Sequence, residues 1–65
     1  MKQYWPTAIT TDEQKLFTTT AALSEKECMF QFDIWQNHYG YEIDRAWIRC
    51  GDADKMVIVN RQIVS

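Results

Sequence analysis

Glycine, proline, cysteine and histidine are scarce in this chain of 65 residues, numbering two, one, two and one. Gly40 and Gly51 stand far apart, so there is no glycine-rich loop to cradle a phosphate. With one proline and no low-complexity tract, the composition is not that of a disordered segment. Cys28 and Cys50 are too few and too widely spaced for a disulfide framework. The expectation is therefore reduced thiols packed as small hydrophobes, a single bridge requiring secretion. No CxxC or HxxxH pair brings metal ligands together, and Cys28 and His38 lie roughly 15 Å apart on a continuous helix. Neither a metal nor a cofactor is expected.

Long apolar runs are missing too. No stretch approaches the ~20 apolar residues of a membrane span. The opening MKQYWPTAITTDEQ has no apolar core of the roughly 7–15 residues that a secretory signal requires. A cytoplasmic location without membrane contact is the expectation. An excess of positive charge is also absent. Seven Lys and Arg stand against nine Asp and Glu, a net charge of −2, which disfavours a general nucleic-acid binder. No run of like charge exceeds two residues, so the charges read as a solvated surface.

What the chain does have is apolar bulk: 46% of residues are hydrophobic, including three each of Trp, Tyr and Phe. A chain this short buries only about 60% of the surface it exposes when unfolded, so it needs such side chains to fold as one domain, 1–65. Its length suits a small accessory protein of a phage or bacterium.

Ser24–Gly40 organises the rest. Ser24-x-x-Glu27 is a capping box, and Glu25 and Glu27 favour the positive end of a helix dipole. Cys28, Phe32, Trp35 and Tyr39 then fall at i, i+4, i+7 and i+11, a helical stripe that Gly40 can terminate. Phe30, Phe32 and Ile34 alternate as a strand would, but box, stripe and glycine agree on a helix over about 25–39.

Before it, Thr11-x-x-Gln14 fits a second capping box. The β-branched Thr18–Thr20 favour at most one turn at 12–14, followed by a strand, 15–22. Residues 1–11, with Pro6 among Tyr4, Trp5 and Ile9, read as an extended arm or an extra edge strand. After the helix, 41–50 alternates imperfectly, Gly51-Asp52-Ala53-Asp54 is a turn, and 55–64 forms a strand beginning with the apolar run KMVIV. The expected fold is α+β in the order β-α-β-β: one helix on a small three-stranded mixed sheet, spatial order 1-3-2, with the last strand between the others.

Individual residues offer little chemistry. His38 beside a helix C-terminus is explained by the dipole. Asp52 and Asp54 lack the glycine and closing glutamate of a calcium loop and read as turn residues. Glu42 and Asp44 describe most solvated strands, and Ser24 is a cap rather than a nucleophile.

One helix covers only one face of a sheet, and function is best sought on the other. Trp5, Tyr41, Arg45, Trp47, Arg49, Met56 and Ile58 are the candidate interaction surface, since aromatic residues and Arg dominate protein–protein hot spots. The expected function is a non-enzymatic interaction module whose partner is another protein or a second copy of itself. The alternative is a single-stranded nucleic-acid binder stacking bases on Tyr41 and Trp47 between Arg45 and Arg49.

Overall fold

Ser24 starts the only α-helix among the described residues, and it does so through its side chain. Its Oγ accepts from the Glu27 amide at 3.2 Å, while the Glu27 carboxylate accepts from the Leu23 amide at 2.8 Å. The reciprocal half of the box thus reaches one residue further back than the usual pattern. The computed structural model describes residues 2–64. In it, helix α1 spans Glu25–Asp33 and runs on into a π-helical turn, Ile34–His38.

In that turn the Tyr39 amide donates to the carbonyl of Ile34, five residues back. The wider turn explains one departure from the expected stripe. Cys28, Phe32 and Trp35 are buried, but Tyr39 is rotated off their line and is 65% exposed.

The strands are β1 (Trp5–Thr10), β2 (Lys15–Phe17), β3 (Ile43–Cys50), β4 (Ala53–Val59) and β5 (Gln62–Ile63). They form one five-stranded sheet in the order β2-β1-β3-β4-β5, each neighbour antiparallel. The expected three-stranded mixed sheet is therefore incorrect. So is the strand placed in its middle. β2 and β3 run in the same direction and are joined through the helix, but the strand between them is β1, not the C-terminal one.

The segment expected as an arm or edge strand thus forms an interior strand despite Pro6. The Tyr4 and Thr10 amides both donate towards the β2 side, to Ala22 and Gln14. Strand alternation points the Pro6 nitrogen the same way. There it meets residues 18–21, which belong to no strand, so its missing N–H forfeits no ladder bond. The same gap explains why β2 ends at Phe17 instead of continuing to Ala22, which returns only as an isolated bridge to Tyr4.

Turn chemistry accounts for the other boundaries. Residues 11–13 form a three-residue hairpin loop with Glu13 at φ 68°. Gln14 does not close a capping box with Thr11; its amide donates to Thr10 Oγ1 at 2.9 Å. Gly51, at φ 63°, opens a turn of Gly51-Asp52 alone; Ala53 and Asp54, expected in the turn, already pair with β3 as the start of β4. The expected continuous strand 55–64 is broken at Asn60 and Arg61, both at positive φ (51° and 68°), a two-residue hairpin of the I′ kind.

Two β-bulges decide which side chains face the helix. In β3 the pairing steps from Arg45↔Ile9 to Ile43↔Thr10, leaving Asp44 as the extra residue. In β4 it steps from Met56↔Trp47 to Ile58↔Ala46, leaving Val57 extra. Each bulge breaks the period of two, so residues two apart emerge on opposite faces. Ile43, Val57 and Ile58 consequently join Ala8, Ala46 and Ile48 beneath Cys28, Phe32 and Trp35.

Candidate functional site

With α1 on one side, the odd-numbered residues of β1 and their partners line the other. Register places Phe17, Thr7, Trp47 and Met56 side by side across four strands. Lys15, Ile9 and Arg45 form the row on one side, and Trp5, Arg49 and Asp54 the row on the other. A depression of about 360 Å³ opens among Trp5, Thr7, Lys15, Trp47 and Arg49.

Five of the seven candidate residues therefore share this face: Trp5, Arg45, Trp47, Arg49 and Met56. The other two do not. Ile58 is 3% exposed, because the Val57 bulge turns it into the core. Tyr41 precedes β3 and is held by its amide, which donates to the Trp35 carbonyl at 2.9 Å. Its ring lies near that of Tyr39, with centroids 6.5 Å apart. Phe17 is a member of the face that the sequence reading missed. Its signal was the alternation Lys15-Leu16-Phe17, in which buried-side Leu16 separates two outward residues.

The three tryptophans divide by exposure. Trp35 is 7% exposed, whereas Trp5 and Trp47 are half-buried on the bare face. Around them the charges are paired. Arg49 holds Asp54 through two bonds of 2.8 and 3.2 Å. That contact keeps the Asp54 carboxyl below the usual carboxylate range and raises the Arg49 guanidinium. Arg45 lies 3.5 Å from both Glu13 and Asp44. These pairs are exposed and contribute little to stability, but they fix how the guanidinium groups are presented.

Other potential chemistry disperses. His38 is exposed, with its ring edge-on to Tyr39 at 4.9 Å. Asp52 lies in the turn after Gly51, Asp44 at the bulge, and Glu42 pairs with Arg61 at 3.4 Å. Cys28 is fully buried and Cys50 half-buried, both as free thiols. Burial, with Glu25 and Glu27 nearby, pushes the Cys28 thiol up to about 11, away from nucleophilic use at neutral pH. Among the described residues no three His, Cys, Asp or Glu side chains converge to hold a metal ion. No helix among the described residues is long and apolar enough to cross a membrane.

Fold and site together define a small α+β protein whose antiparallel sheet is covered by a helix on one face and bare, aromatic and charge-paired on the other. No family model matches the sequence, and neither a curated protein nor a solved structure matches it.

Proposed function

We propose that this chain is a small cytoplasmic interaction module without enzymatic activity, docking on a larger protein through the sheet face that α1 leaves bare. The observation that carries the reading is the placing of Trp5 and Trp47, half-exposed, with Phe17 and Met56 on that one face. Aromatic anchors beside charge-paired Arg are the composition of a protein-binding hot spot. A nucleic-acid strand is a poorer fit, because both Arg45 and Arg49 already spend their charge on carboxylates.

Size favours a larger partner over a second copy. Five strands at about 4.8 Å spacing and six residues of strand give a face of roughly 20 Å by 20 Å. That is about half of the roughly 800 Å² that each side contributes to a standard interface. A larger protein can grip the rim as well, which a flat copy of the same face does not.

The test combines self-association with directed loss. Light scattering at micromolar concentration should give a monomer. A protein captured by the immobilised chain should be lost when Trp5→Ser and Trp47→Ser are combined, with the helical circular dichroism unchanged. A stable dimer, or a partner retained by the double variant, overturns the reading. Salt-dependent Trp quenching by a single-stranded oligonucleotide would favour the nucleic-acid alternative instead.

A further inference from the structure

We infer, resting on the docking face proposed above, that the partner meets it with an acidic segment, in which a carboxylate stands beside a large apolar side chain, seated where two depressions join at Trp5 and Arg49. Of the seven cationic side chains, Arg45, Arg49, Lys55 and Arg61 are held by carboxylates of the chain itself. Lys2, Lys15 and Lys26 are exposed and make no ion pair among the described residues. Lys26 lies on α1, across the sheet from the bare face. Lys2 and Lys15 each line a depression at one end of that face.

The two depressions are neighbours. The one of about 360 Å³ that holds Lys15 and a second of about 410 Å³ that holds Lys2 share Trp5 and Arg49 as a common wall. Neither is lined by Asp or Glu, although the chain carries nine of them. Asp54, which holds Arg49, pairs with it from β4, on the side of β3 away from Trp5. Its two bonds take Nε and Nη2 of Arg49, so Nη1 keeps its hydrogens for a ligand. Asp52, in the adjoining turn, acts on Arg49 only through its field, without a contact. Free positive charge thus collects at one end of one face, in a molecule whose net charge is −2. A surface arranged this way draws in an anionic group and orients it on approach.

Apolar contact supplies the rest of the recognition. Trp5 and Trp47 are half-buried and stand diagonally across the β1–β3 pair, with Thr7 opposite Trp47. A side chain seated between the two indoles brings a carboxylate next to it within reach of Lys15 or Arg49. A phosphate backbone fits this ground less well, because it needs cations repeated along its track. Towards Arg45 such a track meets Glu13 and Asp44, and across β4 it meets Asp54. The cationic ground is a spot, suited to one or two carboxylates.

Selection of phage-displayed random peptides on the full chain at low salt tests this. The expected consensus places Asp or Glu next to Trp, Phe or Leu. For the best synthetic peptide, Lys15→Glu and Lys2→Glu should each weaken binding about ten-fold, and added salt should weaken it further. Lys26→Glu makes the same change in net charge on the far side of the sheet and should leave affinity within about two-fold. All three lysines are exposed, so folding is not at stake. Equal effects of Lys15→Glu and Lys26→Glu, a consensus without acids, or no enrichment at all would each overturn the inference. If Trp5→Ser combined with Trp47→Ser abolishes binding of a peptide indifferent to Lys15, the docking face stands and only its acidic partner is lost. If the double variant binds normally, the face itself is lost. A single-stranded oligonucleotide that displaces the peptide and binds more tightly would overturn both in favour of nucleic acid.

Discussion

Met56 and Ile58 are two residues apart on β4 yet lie on opposite faces of the sheet, 42% and 3% exposed, because Val57 is inserted between their pairing partners Trp47 and Ala46. Ile58→Ala should therefore cost about 2–4 kcal/mol, as for other fully buried aliphatic side chains. Met56→Ala should cost under about 1 kcal/mol. Urea unfolding of the two variants measures the difference, and equal losses would mean that β4 keeps strict alternation.

Arg61 occupies the second position of the β4–β5 turn at φ 68°, a conformation that glycine adopts freely and other residues resist by about 1–2 kcal/mol. Arg61→Gly should raise stability by about 0.5–1 kcal/mol once the greater freedom of the unfolded chain is offset. The ion pair it sacrifices, Arg61 to Glu42, is exposed on both sides and counts for little. A fall in the thermal midpoint would contradict the turn assignment.

Ser24→Ala removes the acceptor of the Glu27 amide and should destabilise the protein by about 1 kcal/mol. Ser24→Asp should restore most of the loss, because its carboxylate accepts the same bond and suits the helix dipole. Denaturant titration of the pair separates a capping role from general intolerance at this position.

The buried Cys28 thiol makes stability depend on pH on the alkaline side. Its ordinary value of 9.0 is raised to about 11 in the fold, so from pH 9 upward the unfolded chain gives up its proton first. Stability contributed by the neutral thiol is complete below pH 9 and declines as pH rises towards 11. Between those limits the protein should lose more stability than Cys28→Ala does. At pH 8 a thiol reagent should label the half-buried Cys50 before Cys28.

Collisional quenching checks the disposition of the aromatic residues. Acrylamide should reach Trp5 and Trp47 but scarcely touch Trp35. Trp35→Phe should therefore leave a fluorescence that is almost wholly quenchable, and uniform quenching of all three would contradict the arrangement.

Local signals in the sequence were legible where their cause was local. The Ser24 cap, the buried stripe Cys28, Phe32 and Trp35, and the turn at Gly51 each follow from a few neighbouring residues. The grouping of Trp5, Arg45, Trp47, Arg49 and Met56 could be anticipated from one argument, that a single helix leaves one sheet face bare. Features set by distant partners were hidden. Pro6 argued against an interior strand because the gap opposite it is made by residues 18–21, and the bulges at Asp44 and Val57 exist only relative to β1 and β3. The Asn60-Arg61 turn lacked the glycine that usually marks such a hairpin, and the π-helical turn left no compositional trace.

The interior position of β1 bears on how the chain folds. Its partners in β3, residues 43–49, lie more than thirty residues further along, beyond both the β1–β2 hairpin and the helix. Long-range pairing of this kind slows folding, because chain entropy must be given up before the contacts compensate it. During synthesis the hairpin can close early, but β1 keeps an open flank until β3 has left the ribosome. In that interval the apolar side chains of Pro6 and Ala8 have no sheet to pack in. The nascent chain, rather than the finished protein, is where a hydrophobic patch on β1 would most need shielding.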